Sequence, residues 1–129
     1  MTLITLVYGS SSSVREQAIA SQFESDSTTV VIAEGIAGAN TALQALEKQE
    51  QLQVFRIAPG CPCCSGNLTM RVTLNRILRK PPQRLYLSLA SAAHLSQIRN
   101  FLQEGQYQTL LSLSDELNCD TSTPGKKPG

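Results

Sequence analysis

The chain has 129 residues, 41% of them hydrophobic and 16% charged, with 11 Lys and Arg against 10 Asp and Glu. That size suits one domain with a single core. The formal net charge of +1 offers no field for nucleic acid or an anionic membrane, and no stretch approaches the roughly 18 apolar residues of a membrane span. The start, Met1-Thr2-Leu3-Ile4, lacks a basic region followed by a long apolar stretch, so no secretory signal and a cytosolic location are expected.

Leu3 to Tyr8 is an apolar, β-branched run closed by Gly9 and four serines, the pattern of a strand buried on both faces. A helix is expected over about Ser13 to Phe23, with Val14, Ala18 and Ile19 inward. Ser12 or Ser13 would cap it, and Glu16 would complete a capping box with Ser13. Thr28 to Ala33 is a second strand, and Ala39, Ala42, Leu43 and Leu46 then repeat at helical spacing. Leu52 to Ile57 is a third strand, stopped by Pro59-Gly60. A helix follows from Leu68 to Lys80, with Met70, Leu74, Ile77 and Leu78 on one stripe and Arg79 and Lys80 in its last turn. Pro81-Pro82 ends it. Leu85 to Leu89 is a fourth strand, Ser91 to Glu104 a helix with Leu95, Ile98 and Leu102 inward and Gly105 as its cap, and Thr109 to Leu113 a fifth strand.

Strands alternating with helices imply an α/β domain with a mostly parallel sheet of about five strands over residues 1–118. Residues 119–129, rich in Asp, Thr, Ser, Pro, Gly and Lys, are expected to form a disordered tail that Cys119 opens. In such sheets ligands bind at the carboxyl ends of strands. Gly9–Ser13, Pro59–Cys64 and Leu89–Ser91 follow strands and should share that edge.

A phosphate-binding loop needs Gly, four residues, then Gly-Lys-Ser/Thr: glycines to curl the backbone, Lys for the outer phosphates, a hydroxyl for magnesium. Here Gly9 and Ser10-Ser11-Ser12-Ser13 lead into Val14-Arg15-Glu16. Val14 replaces the second glycine with a stiff β-branched side chain. Arg15 replaces Lys, and Glu16 sets a carboxylate where a polyphosphate would lie. At most, Gly9, Ser10, Ser11, Ser12, Ser13 and Arg15 would make a weak anion site. A capped strand–helix turn accounts for the same serines without any ligand.

Three of the four cysteines fall within Gly60-Cys61-Pro62-Cys63-Cys64. Thiolates are soft ligands suited to Zn2+ or another soft metal ion. Pro62 stiffens the loop, and three sulfurs leave a fourth position for water, a side chain or a partner's ligand. Two other readings stand beside metal. One is thiol redox chemistry, for which Cys-x-Cys makes a strained small ring; the other is plain burial of small apolar side chains. His94, the single histidine, falls after the fourth strand, where surface exposure is the ordinary expectation.

This Gly-Cys-x-Cys-Cys pattern after an apolar strand resembles the motif of the CobW-type metal-chaperone GTPases, relatives of the nickel-insertion GTPases of urease and hydrogenase. The resemblance continues in Ser65-Gly66-Asn67-Leu68, in Leu87-Ser88-Leu89-Ala90-Ser91-Ala92-Ala93-His94-Leu95 and in Leu113-Ser114-Asp115, covering about residues 2 to 115. It implies a phosphate-loop NTPase-like, three-layer α/β/α fold, with Cys61, Cys63 and Cys64 as metal ligands, Cys63 and Cys64 first among them. The chain departs from that family at Val14, Arg15 and Glu16, at Ser88 where the family has a Glu, and at Ser91 where it has a γ-phosphate-sensing glycine. The family's guanine-reading Asn-Lys-x-Asp and C-terminal domain have no counterpart in this sequence.

The expectation is therefore a degenerate relative that holds metal without hydrolysing GTP: a metal carrier, a sensor, or a partner of an intact GTPase or metalloprotein. An open sheet edge would also allow a homodimer. The alternatives are a GTPase in which Arg15 does the work of Lys, a redox module, and a packing domain without ligand.

Overall fold

The apolar runs become strands because β-branched residues pack well on a pleated surface covered on both sides. A computed structural model describes residues 2–34, 43, 46, 50–57, 65–93 and 95–120, with residues 65–68 described by their backbone. In chain order the elements are β1 (Thr2–Tyr8), α1 (Ser12–Gln22), β2 (Thr29–Glu34), β3 (Leu52–Ile57) and α2 (Ser65–Ile77). They continue with β4 (Arg84–Ser88), α3 (Leu95–Leu102), α4 (Tyr107–Leu110), β5 (Leu111–Leu113) and β6 (Leu117–Asn118).

The sheet order is β3-β2-β4-β1-β5, with β6 also pairing β1. Every pairing is parallel. β5 takes the Thr2–Ile4 stretch of one edge of β1, and β6 takes Val7 and Tyr8 further along it. Neighbouring residues of each strand point to opposite faces, and the core divides accordingly. Ile4, Leu6, Val30, Ile32, Leu85 and Leu87 meet Met70, Leu74 and Ile77 of α2, Leu102 of α3 and Tyr107 of α4. Val7, Val31, Ala33 and Tyr86 meet Ile19 of α1 and Leu43 on the other face. The result is a three-layer α/β/α arrangement, consistent with a phosphate-loop NTPase-like fold. No helix among the described residues is long and apolar enough to cross a membrane.

Several elements differ from expectation for identifiable reasons. α1 starts at Ser12 and is capped by Ser11, whose hydroxyl accepts from the Val14 amide. Its buried residues are Arg15, Glu16 and Ile19, while Val14 is 41% exposed. Glu16 makes no capping box, because its carboxylate turns to Arg56 on β3. α2 begins three residues early, at Ser65, and ends at Ile77, leaving Arg79 and Lys80 in a turn just beyond it. α3 is shorter than its periodicity suggests. Gly105, at φ 53°, turns the chain towards α4 rather than capping α3 directly. α4 takes up Thr109 and Leu110, so β5 is only three residues long. β6 has no apolar run to announce it, and Cys119 and Asp120 continue from it as a helical turn.

Candidate functional site

From β1 the chain leaves towards β2 and β3, and from β4 it leaves towards β5. The strand order therefore reverses between β1 and β4, whose carboxyl ends lie side by side with Val7 opposite Ser88. Open parallel sheets form their ligand crevice at such a reversal.

Here the crevice is filled by the protein itself. Only Gly9, Ser10 and Ser11 separate Tyr8 of β1 from Ser12 of α1. Gly9 and Ser10 both have left-handed backbone, at φ 89° and 57°. Val14, Arg15 and Glu16 are already helical, so the frame from Gly9 to Glu16 makes a tight corner, not a wide loop. Arg15 is 3% exposed and lies under that corner. Its Nε donates to Ser88 Oγ at 3.0 Å, and its Nη1 donates to the carbonyl oxygens of Ser10 at 2.9 Å and Gly9 at 3.4 Å. A guanidinium held this way cross-links the ends of β1 and β4; its donors point at protein oxygens.

Glu16 is 1% exposed. Arg56 meets it with two hydrogen bonds, at 2.8 and 3.4 Å. The sequence placed that carboxylate where it would repel a polyphosphate; in the fold its charge is answered by β3. Glu34, at the end of β2, accepts a hydrogen bond from the Ala90 amide at 3.0 Å and so ties β2 to the turn after β4.

The other wall is made by residues that the composition assigns to a tail. The Asp120 carboxylate accepts from the Ser10 amide at 2.7 Å, across 110 residues of sequence. A Cβ at Gly9 would come within 2.8 Å of both the amide nitrogen and Cγ of Asp120, so glycine is needed there for close approach as well as for its φ. Cys119 packs against the α1-side core. Burial pushes its thiol up; the nearby Arg15 draws it down and Asp120 adds to the rise. A protonated thiol is a poor nucleophile and a poor metal ligand at neutral pH.

A second polar group braces the same edge. Arg99 of α3 makes a two-pronged pair with Glu116, through Nε to one oxygen and through Nη2 to the other at 2.7 Å. That hydrogen bonding holds the Glu116 carboxyl below its usual range. Burial, with the Glu116 carboxylate beside it, raises the Tyr8 phenol. These contacts anchor the segment between β5 and β6 against the end of β1.

Of the expected site residues, Gly9, Ser10, Ser11, Ser12, Ser13 and Arg15 all lie at this corner, with Arg15 turned inward and Ser11 acting as the cap. Cys61, Cys63 and Cys64 lie outside the described residues, as does His94. The chain approaches the three cysteines from Ile57, at the carboxyl end of β3, and resumes at Ser65, where α2 starts. Among the described residues, no group of three His, Cys, Asp or Glu side chains is gathered to hold a metal ion. Sequence reasoning missed Glu34, Arg56, Cys119 and Asp120. None carries a motif, and each matters only through a neighbour distant in sequence. No family model, curated protein or solved structure matches this chain.

Proposed function

We propose that the chain is a cytosolic, CobW-like domain that binds a soft metal ion such as Zn2+ through Cys61, Cys63 and Cys64 and does not hydrolyse GTP. It would act as a metal carrier or sensor, or as the partner of an intact GTPase or metalloprotein. The observation that supports the non-hydrolysing half is Arg15, whose guanidinium lies under the β1–α1 corner, bound to Ser88 Oγ and to the Ser10 carbonyl oxygen. A triphosphate needs free backbone amides and a mobile cation at that corner. Here the cation is committed to protein oxygens, and one amide to Asp120. The metal half is supported by the donor set: three thiols within four residues, following a strand that ends at the ligand-binding edge of the sheet.

Purification without chelator followed by metal analysis tests the first half. About one equivalent of metal per chain, lost in the Cys63→Ser/Cys64→Ser double variant, is the expected result. A chain that takes up none of Zn2+, Cu+, Co2+ or Ni2+ on titration refutes it, and reversible two-electron oxidation of the metal-free chain would favour redox chemistry instead. Magnesium-dependent GTP turnover that disappears on Arg15→Ala would overturn the second half.

A further inference from the structure

We propose that the Leu117–Asp120 segment is an intramolecular latch, in which the Asp120 carboxylate occupies an oxyanion site on the β1–α1 corner and excludes small oxyanions from solution. The inference concerns the corner alone and holds whether or not the cysteines take a metal. Three independent features carry it. The Ser10 amide, presented by two successive left-handed residues, is met by Asp120 Oδ1 at 2.7 Å; turns of this kind form concavities for anions. Gly9 has no side chain where one would collide with Asp120. Finally, the segment is delivered by pairing rather than by chance: Leu117 and Asn118 lie beside Val7 and Tyr8, the two residues that lead into the corner. The Asp120 amide donates to Asn118 Oδ1 at 2.9 Å, which turns the backbone so that the carboxylate faces the corner.

The carboxylate is thus a tethered competitor. Its local concentration at the Ser10 amide is set by the β6 pairing and not by bulk solution. Arg15, beneath the corner, supplies positive charge close enough to influence the Cys119 thiol. That charge favours whichever anion sits above it. With Asp120 gone, the Ser10 amide faces solvent while Arg15 stays buried beneath it as a fixed charge, and the chemical class that the amide fits is a small oxyanion such as inorganic phosphate.

The test is titration of the full-length, 15N-labelled chain with inorganic phosphate, following the Ser10 and Ser11 amide resonances. Asp120→Ala should bind phosphate about tenfold more tightly than the wild type, as expected on removal of a tethered competitor. Asp120→Leu, which keeps about the same side-chain size and removes both the charge and the acceptor, should show the same gain if the alanine variant fails to fold. Equal affinity in variant and wild type, or binding in neither, overturns the proposal. The wild type offers a further check without any variant. A nuclear Overhauser contact between the Gly9 α-protons and the Asp120 β-protons is required, and its absence overturns the latch.

Discussion

Arg15→Met keeps much of the volume of the side chain and removes all of its donors, which isolates the part the guanidinium plays at the crevice. Ser88 is 1% exposed and its hydroxyl is held by Arg15 Nε; a buried hydroxyl left without this partner costs about 1–2 kcal/mol. The Ser10 carbonyl lies on an exposed residue and regains water, so the loss of its charge-assisted bond costs about 1 kcal/mol. Against this, the variant no longer desolvates a cation, which returns part of the cost. The balance predicts a net destabilisation of about 1–3 kcal/mol. With a urea slope of about 1–2 kcal/mol/M, that lowers the unfolding midpoint by roughly 0.5–3 M. Arg15→Ala adds a cavity beneath the corner and should cost about 2 kcal/mol more. Ser88→Ala supplies the control: it should destabilise the wild type by about 1 kcal/mol and be nearly neutral in the Arg15→Met background, a coupling that only a direct contact produces. An Arg15→Met chain as stable as the wild type, with Ser88→Ala additive, would refute the cross-link between β1 and β4.

Three further perturbations test other contacts at the same edge. Arg56→Ala strands the Glu16 carboxylate, whose side chain is 2% exposed, and should cost about 3 kcal/mol, the lower end for a broken buried pair because Arg56 keeps 24% of its own exposure. Chemical denaturation of Arg56→Ala, Glu16→Gln and the double variant should give a coupling of at least about 1 kcal/mol; strict additivity would contradict the pair. Gly9→Ala combines a φ of 89° with a collision against Asp120 and should lower stability by about 1–3 kcal/mol in the same assay; a neutral result would mean that the corner has another shape. Because Arg99 holds the folded-state Glu116 carboxyl below its unfolded value, the pair's contribution is complete above the ordinary carboxylate range. It fades as pH falls through the depressed folded value. Unfolding curves at neutral and acid pH should therefore show the wild type losing more stability on acidification than Glu116→Gln, and equal losses would deny the shift.

Much of the sheet is legible in the residues. Leu52–Ile57 is the same strand in sequence and structure, Leu3–Tyr8 differs from β1 by one residue at its start, and Leu85–Leu89 differs from β4 by one residue at each end. Strands covered on both faces need a continuous apolar run, and few other elements of that length produce one. The stripe of Met70, Leu74 and Ile77 likewise faces the core. α1 is where the pattern misleads. Apolar periodicity points Val14 inward, yet the helix buries Arg15 and Glu16 instead. Their partners, Ser88 and Arg56, lie 73 and 40 residues away, and no local pattern encodes a charge that is answered from another strand. The start of the expected tail misleads for the same reason: Cys119 and Asp120 carry no pattern of their own and take their place by following β6, which pairs with β1.

Composition and patterning by themselves determined an α/β chain with a parallel sheet, the approximate limits of its strands, and the edge on which Gly9–Ser13 would lie. They also determined that Val14, Arg15 and Glu16 stand where a phosphate-binding loop would need Gly, Lys and Ser or Thr, since side-chain chemistry is written in the residues themselves. The tertiary structure alone decided the strand order, the inward turn of Arg15, the Glu16–Arg56 pair and the return of Asp120 to Ser10. Each of these joins groups that meet only when the sheet forms, and their energies depend on the burial and proximity that the closed fold creates.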